Sequence, residues 1–427
     1  MRIALRGGAA PVDLRALRFA AEPGAAAGSA TFAAELPAEG VRVEKSFEVS
    51  PDGYRVAMTV SVLGPSAAAF MASRSLALEI GTGRGLEPPR AAGFAAMLER
   101  VDAVIAGAGV RAVSGRSATP LAPGDWTGVA GRFWTIVARS DDCGAAVEAR
   151  SGPGVVLSPA EGLHPLACRY VFYSGPIESR ALAAADPRLE RLLFSGLWSW
   201  LRPLSFALLW LLRALTALVG HPGSAIVLLA VSVKILLLPL TAIADRLQQQ
   251  VNAAQARLEP GLQTIRATSR GEERTRRTVA LYREQGVHPL YALKSLAGFL
   301  IQFPVFIAAF DMLAGDFDLQ RVSFMWIRDL ARPDALLALP FCVPFFGCEL
   351  NALPLLMSGV SLATVLRHRA PALTPALARR QRRNLSGVTA VFFLLFYTFP
   401  AAMVLYWTST NAVQLVGQEA ARLWRRT

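Results

Sequence analysis

The segment that most constrains this chain is an apolar run at 225–241, AIVLLAVSVKILLLPLT, with a single charge, Lys234, inside it. With its flanks the run covers residues 223–244, and about 20 apolar residues are enough for a helix to cross a bilayer. A lysine near the centre of such a helix costs roughly 2.5–3.5 kcal/mol even on lenient insertion scales. Either Lys234 reaches the membrane surface along its own aliphatic stem, or it faces water, a partner or a substrate.

Composition favours a multi-domain membrane protein. The chain has 427 residues, of which 53% are apolar, and the apolar excess lies in the second half. The net charge is +13, but the basic residues are nearly all arginines and form no stripe interleaved with aromatic residues, so we expect no nucleic-acid partner. The four cysteines and four histidines lack zinc-type spacing, so we expect no metal.

Residues 1–190 are predicted to form a soluble β-sandwich domain. Strands of alternating polarity are expected at Val41–Val49 and Tyr54–Val62, with a turn at Pro51-Asp52-Gly53 between them. Further short strands, separated by Gly and Pro, favour a sandwich. The glycine cluster Gly81-Thr-Gly83-Arg-Gly85 opens no helix, so a plain loop is favoured over a phosphate site.

The second half is predicted to be a bundle of five transmembrane helices. Arginine-rich segments alternate with an acid-rich one, and arginine marks the cytoplasmic side. The predicted spans are residues 223–244, 295–313, 351–366, 385–399 and 401–416. The polar segment 245–291 is expected to be a cytoplasmic helical hairpin, and the basic C-terminus is expected in the cytoplasm. Residues 191–220 contain an apolar stretch that is either a further span or an amphipathic helix in the interface, which its tryptophans and arginines favour.

Polar residues recur inside these spans. Lys234 lies in the first, Gln302 in the second, and Tyr406, Trp407 and 408–411 (TSTN) in the last. Such groups usually face a bundle interior or a wet cavity. Gln302 and the hydroxyl groups are equally consistent with hydrogen bonds between helices, and Tyr406 with Trp407 is also consistent with an interfacial aromatic belt. A positively charged groove open to the cytoplasm is the simplest physical interpretation.

Several segments, in order, are similar to one known family. They are VKILLLPLT at 233–241, LYR at 281–283, VHPL at 287–290, LIQFPVF at 300–306, WIRDL at 326–330, LPLLM at 353–357, FP at 399–400 and VLYWTSTN at 404–411. Upstream, YSGP at 173–176 and residues 125–135 add to the similarity. The chain resembles the YidC/Oxa/Alb family of membrane protein insertases, in the bacterial subtype with a large periplasmic domain.

The resemblance implies specific roles. Residues 1–190 would be a periplasmic β-super-sandwich, and 221–427 the insertase domain. Lys234 matches the basic residue of a hydrophilic substrate groove, which is most often arginine in bacterial members. Phe303 and Phe306 match positions along the path of the guest helix, and Tyr406 and Trp407 match aromatic positions at the edge of the groove. The polar hairpin would receive substrates, and neither nucleotide nor metal is expected.

The implied activity is insertion and folding of transmembrane segments of client proteins, without enzymatic catalysis. The implied partners are hydrophobic client membrane proteins, the Sec translocon, ribosome–nascent chains and the lipid bilayer. The expected location is the bacterial inner membrane, with several passes. Two other classes stay open: a transporter or channel for an anionic solute that binds at Lys234, and a membrane-bound enzyme, for which no catalytic motif is present.

The sequence also departs from this family. Members with a large periplasmic domain begin with a membrane helix, whereas residues 1–20 here are not an apolar span, so we expect the natural start to lie upstream. Lysine keeps the positive charge of arginine but loses its planar fork, so Lys234 is expected to be a weaker anchor. Cys342 and Cys348 lie in a loop predicted to be outside, and a disulfide between them is a further hypothesis.

Overall fold

The computed structural model describes residues 2–7, 12–22, 27–51, 53–81, 93–113, 117–144, 146–150, 154–160, 162–288, 290–367 and 375–424. The chain divides into two compact units. One comprises Met1–Ala91, Ala96–Gly196 and Gly315–Asp318; the other comprises Ala92–Ala95, Leu197–Ala314 and Leu319–Thr427. The first is rich in β-sheet and the second is mainly helical, which confirms the predicted order of a β region followed by a helical region.

Among its described residues, the first unit contains two antiparallel sheets and two short α-helices. Its strands are β1 Arg2–Gly7, β2 Val12–Asp13, β3 Ala20–Glu22, β4 Ser29–Leu36, β5 Val41–Val49, β6 Arg55–Leu63, β7 Arg74–Gly81, β8 Asp102–Ala106, β9 Val110–Ala112, β10 Thr119–Pro120, β11 Trp126–Ala130, β12 Trp134–Ser140, β13 Ala146–Ala149, β14 Gly154–Ser158 and β15 Ala167–Pro176. Its helices are α1 Ala67–Met71 and α2 Ser179–Ala185. The six-stranded sheet has the order β10-β13-β14-β7-β1-β2, and the nine-stranded sheet has the order β3-β4-β5-β6-β15-β12-β11-β8-β9.

The predicted hairpin between β5 and β6 is confirmed. The two strands pair antiparallel from Val49 opposite Val56 to Arg42 opposite Leu63. Gly53 has a φ of 73°, a left-handed conformation that glycine adopts without steric cost and that lets the chain reverse. Asp52 and the predicted glycine loop at 82–85 lie outside the described residues.

The two sheets share one hydrophobic core. Met58 and Val60 of β6, Leu76 and Leu78 of β7, and Leu157 of β14 are all fully buried in the same cluster. Successive side chains of a strand point to opposite faces of its sheet, so residues two positions apart, such as Met58 and Val60, point to the same face. These residues lie on the faces by which the two sheets pack together. The opposite face of the nine-stranded sheet carries a second cluster, which is covered by α2 and by a 3-10 helix at Pro187–Leu192. The sandwich therefore buries both faces of its larger sheet.

A disulfide that we did not predict joins Cys143 to Cys168 within this domain. Both cysteines are buried, and Cys168 belongs to β15. The bond ties the loop after β12 to the neighbouring strand, so it stabilises the edge of the core where the two sheets meet.

The second unit contains seven helices and one hairpin among its described residues. The helices are α3 Arg202–Val219, α4 Pro222–Thr268, α5 Gly271–Glu284, α6 Ala297–Gly315, α7 Ala352–Arg367, α8 Pro375–Phe396 and α9 Ala401–Trp424. The hairpin strands are β16 Leu337–Val343 and β17 Gly347–Leu350. In this region α3 and α4 are long and apolar enough to cross a membrane, and Leu300–Gly315 and Ala352–Arg367 form shorter apolar helices.

Local chemistry sets the break between α3 and α4. Gly220 takes a left-handed conformation that ends α3, and Pro222 lies in the first turn of α4, where its missing N–H is not needed. The ring nitrogen Nδ1 of His221 accepts a hydrogen bond from the backbone N–H of Gly223 at 3.0 Å and caps the new helix. The α-helical part of the segment predicted at 191–220 begins only at Arg202, with Pro203 in its first turn, where the missing N–H of proline is not needed.

The α4 helix is longer than predicted. It runs for 47 residues without interruption through Pro239 and Pro260, so the apolar run and the following polar segment form one helix. It ends before α5, and the side chain of Leu281 on α5 lies directly over Gly261. A Cβ at position 261 would lie 2.8 Å from a methyl carbon of Leu281, so glycine allows this close contact between the polar part of α4 and α5 without a shift of the leucine.

Candidate functional site

Lys234 lies near the middle of the apolar half of α4 and contacts α9. Its Nζ donates a hydrogen bond to Oε1 of Gln414 at 3.4 Å. The side chain is half-buried, and no carboxylate of the described residues lies within ion-pairing distance of it. The ammonium group of Lys234 therefore lies beside a neutral amide, and no described carboxylate pairs with it.

The surroundings of Lys234 on α4 are strongly apolar. Val233 and Leu237 are buried against the bundle, whereas Ile235, Leu236 and Leu238 are exposed at its surface. A helix with an exposed leucine-rich surface is suited to lipid and not to water. The lysine thus lies at the boundary between a lipid-type surface and the helix α9.

The polar residues of α9 divide into two groups. The hydroxyl groups of Thr408 and Thr410 donate to backbone carbonyl oxygens one turn earlier in the same helix, at 2.7 and 2.9 Å. These two are satisfied within α9, so they need no partner in another helix. Asn411 instead reaches α7, where its Nδ2 donates to Oγ of Ser361 at 2.7 Å.

Together, Asn411 and Gln414 make a polar seam along α9. Asn411 bonds to α7 and Gln414 bonds to Lys234 on α4. We call Lys234, Ser361, Asn411 and Gln414 the polar seam. Hydrogen bonds between helices were one of the two interpretations left open for the TSTN stretch, and Asn411 fits that interpretation.

A cluster of aromatic rings lies on α6, on α8 and at the start of α9. The ring of Phe306 is 4.7 Å from that of Trp407, edge to face, and Phe392 and Phe396 stack on the indole at 5.4 and 5.8 Å. Phe310 extends the cluster to Phe396 at 5.4 Å. Such contacts contribute about 0.5–1.5 kcal/mol per pair beyond simple burial. The rings therefore hold α6, α8 and α9 together through an apolar contact.

The predicted site residues fall into separate places. Phe306 and Trp407 meet in the aromatic cluster, and Lys234 lies in the polar seam. Gln302 and Phe303 are half-buried on α6, about one turn before Phe306. Tyr406 is only 3% exposed and lies inside the bundle, whereas its neighbour Trp407 is half-buried.

Sequence reasoning missed several members of these groups. Gln414 lies seven residues after Trp407, about two turns along the same helix, and this spacing was a usable signal. Phe392 and Phe396 lie four residues apart, the spacing that places two side chains on one helix face. Ser361 had no such signal, because only the packing of α7 on α9 gives it a partner.

The start of α7 is fixed by a buried acid. Asp334 is 2% exposed, and its Oδ2 accepts from the backbone N–H groups of Ala352 and Leu353 at 2.8 and 3.0 Å and from the indole of Trp326 at 3.1 Å. Backbone N–H groups at a helix start attract negative charge. Asn351 adds a bond from its Nδ2 to the carbonyl of Tyr397 at 2.7 Å. This network positions α7 and, through it, Ser361.

Cys342 and Cys348 form a disulfide that closes the β16–β17 hairpin. Residues of the hairpin between them include Phe345, whose φ of 73° marks a tight turn.

Among the described residues there is no group of three or more metal-binding side chains.

Comparison with known proteins identifies one family. The model of the family described as "60Kd inner membrane protein" matches residues 214–423. The "Membrane protein insertase YidC" of Shewanella sp. (strain MR-7) is 31% identical over 252 residues, which cover 58% of this chain and 41% of that protein. The protein of the same name from Francisella philomiragia is 30% identical over 252 residues, covering 58% of this chain and 40% of that protein.

A third relative, from Janthinobacterium sp. (strain Marseille), is 29% identical over 249 residues, 58% of this chain and 41% of that protein. The chain thus spans about two-fifths of the length of the curated relatives that it matches. The solved structure titled "Active YidC insertase crystal structure with the first transmembrane domain resolved" aligns with a TM-score of 0.37 and 14% identity, over 97% of this chain and 82% of that one.

The structure combines a β-rich unit with a mainly helical unit, and helices of the second unit carry the polar seam. The helical region carries the family match, and it is there that Lys234, Gln414 and the aromatic cluster lie. Residues 214–423, just under half of the chain, match the 60Kd inner membrane protein family, and over 58% of its length the chain is similar to proteins named membrane protein insertase YidC.

Proposed function

We propose that this chain inserts transmembrane segments of client proteins into the lipid bilayer, using the polar seam as the receiving groove. The observation that carries the proposal is the hydrogen bond to Gln414 on α9 from Lys234, which lies in the apolar half of α4. A polar site in lipid lowers the cost of moving a client's polar groups across the hydrocarbon layer, since those groups find partners there.

We propose that five helices cross the membrane: the first half of α4, then α6, α7, α8 and α9. At 1.5 Å per residue α4 is about 70 Å long, more than twice the roughly 30 Å of hydrocarbon. Its polar second half would therefore project from the membrane and, with α5, form the cytoplasmic hairpin at 245–291. The exposed arginines of α8 favour the same side.

The β-sandwich domain would lie in the periplasm, with the C-terminus in the cytoplasm. The Cys143–Cys168 disulfide favours an oxidising compartment for this domain. The α3 helix would lie in the interface, because Trp210 is exposed on it and Trp198 and Trp200 are exposed just before it. Amphipathic tryptophan side chains prefer the level of the lipid head groups.

The aromatic cluster would form the apolar wall of the groove. A guest helix would contact Phe303, Phe306 and Trp407 on one side and the lipid on the other. The action would be binding and release without bond chemistry, so no catalytic residue or cofactor is assigned. Client proteins and lipid are the partners that the groove requires, and the Sec translocon and ribosome–nascent chains are further proposed partners.

The test is complementation in cells depleted of their own insertase. Expression of this chain, with the upstream region of its natural gene if there is one, is expected to restore membrane insertion of a small Sec-independent protein. Lys234→Glu should abolish that insertion, because it reverses the charge of the seam. The control Lys234→Arg keeps the charge and should retain most activity.

Two outcomes would count against the proposal. Full activity of Lys234→Glu would remove Lys234 from the mechanism. Failure of the wild-type chain to restore insertion, together with flux of an anionic solute into liposomes, would favour a transporter instead.

A further inference from the structure

The β16–β17 hairpin has an unusual composition for an exposed element. Residues 336–347, LLALPFCVPFFG, contain no charged side chain. Leu337 and Phe341 are 58% and 61% exposed, and most of β16 is exposed on both of its faces. An exposed apolar surface of this kind marks an interaction site.

The hairpin packs on the rest of its unit through its tip and its second strand: the rings of Phe345 and Phe346 lie 5.0 and 4.9 Å from those of Phe94 and Tyr397, and the Tyr397 hydroxyl donates to the carbonyl oxygen of Glu349. The hairpin is a sheet of only two strands, and within residues 290–367 no third strand joins it. Two-stranded hairpins are marginally stable by themselves in water. The Cys342–Cys348 disulfide restrains its tip, and at the other end Leu337 pairs with Leu350. It is therefore a fixed apolar projection.

The position of the hairpin in the chain indicates what it meets. It lies between α6 and α7, and β17 ends at Leu350, two residues before α7 begins. The Asp334 carboxylate and the Asn351 side chain hold that junction. A hairpin fixed at the end of a membrane helix is held at the level of the lipid surface, continuous with the lipid-facing surface of the helices.

We propose that the β16–β17 hairpin inserts Leu337 and Phe341 into the outer interfacial layer of the bilayer and anchors the outer ends of α6 and α7. The partner is the lipid surface itself. Glu349 on β17 is the hairpin's one charged residue, and β16 and the turn carry none; this favours lipid over a charged protein partner, because anchoring by apolar side chains needs no complementary charge. This inference rests on the proposed membrane placement of α7 and not on insertase activity.

The test uses the full chain with one genetically encoded fluorescent amino acid that is sensitive to polarity, placed at position 341. After reconstitution into phosphatidylcholine–phosphatidylglycerol vesicles, its emission is expected to shift to the blue and to be quenched by lipids that carry a spin label near the head group. Position 163, an exposed leucine of the β domain, is the control for water. Position 236, an exposed leucine of the apolar half of α4, is the control for the hydrocarbon layer.

A probe at 341 that behaves like the one at 163 would overturn the proposal. If the emission of the probe at 236 also failed to shift to the blue, the membrane placement of the helices would be wrong as well, which separates the two failures. A second measurement places a photo-crosslinking residue at 341 in living cells. Crosslinks to lipid are expected, and a discrete crosslinked protein would show that a protein covers the hairpin instead.

Discussion

Because Lys234 lies inside an apolar part of α4 and is bonded to Gln414, we expect its replacement to change stability and activity in opposite directions. Lys234→Met removes a charge from an apolar helix and should stabilise the protein, while it should reduce insertion. Gln414→Leu removes the only described partner of the ammonium group and should destabilise the protein while Lys234 is present. In the Lys234→Met background, Gln414→Leu should have no such effect.

The size of the coupling follows from the geometry. Hydrogen bonds to charged groups contribute about 1.5–3 kcal/mol when they are well formed. This bond is 3.4 Å long, beyond the usual optimum, and the lysine is only half-buried. Couplings between helices in membranes average about 0.6 kcal/mol. We therefore expect a coupling free energy of about 0.5–1 kcal/mol, and a gain on the order of 1 kcal/mol for Lys234→Met, well below the full burial cost of roughly 2.5–3.5 kcal/mol.

The assay is a double-mutant cycle on the free energy of unfolding, measured by titration with a denaturing detergent for the wild type, the two single variants and the double variant. Insertion of a client is measured for the same four proteins. A coupling below about 0.2 kcal/mol would show that the bond has no energetic role. If Lys234→Met lowered the free energy of unfolding by more than about 2 kcal/mol, Lys234 would be a stabilising residue, and the reasoning that its charge destabilises the apolar helix would be refuted.

Four further predictions follow from other contacts. Trp407→Ala should destabilise the bundle by about 2–3 kcal/mol by removing its ring contacts, and Trp407→Phe by about half as much, as measured by the same unfolding titration. Asp334→Ala leaves three N–H donors without their acceptor and should lower the free energy of unfolding by about 2–4 kcal/mol, with faster hydrogen exchange at Ala352 and Leu353. Slower exchange at these two amides would contradict this. The backbone N–H of Arg15, with the guanidinium groups of Arg2 and Arg15, holds the pKa of Asp13 well below its usual range, so the contribution of Asp13 to stability is present above the ordinary carboxyl pKa and is lost as the pH falls below it. The melting temperature of the wild type should therefore fall more on acidification than that of Asp13→Asn. Mass mapping without reductant should find the Cys143–Cys168 and Cys342–Cys348 pairs, and four free thiols would contradict both.

The hairpin of β5 and β6 shows where sequence was sufficient. Its apolar residues repeat with a period of two, so burial of one face determines the strand direction and the register together. The break at Gly220 to Pro222 was equally readable, because glycine and proline act locally on the backbone. The continuity of α4 through Pro260 was not readable, since packing of Gly261 against α5 supports the helix at that point.

For the candidate site, the sequence alone showed that Lys234 lies inside an apolar run, because the hydropathy of a segment depends only on residues that are neighbours along the chain. Its motifs also carried the resemblance to the insertase family. Only the tertiary structure decided that Lys234 bonds to Gln414, that Asn411 bonds to Ser361, and that three phenylalanine rings from α6 and α8 meet around Trp407 of α9. Those partners are up to 180 residues apart in the chain, and no local pattern relates residues whose contact depends on how whole helices pack.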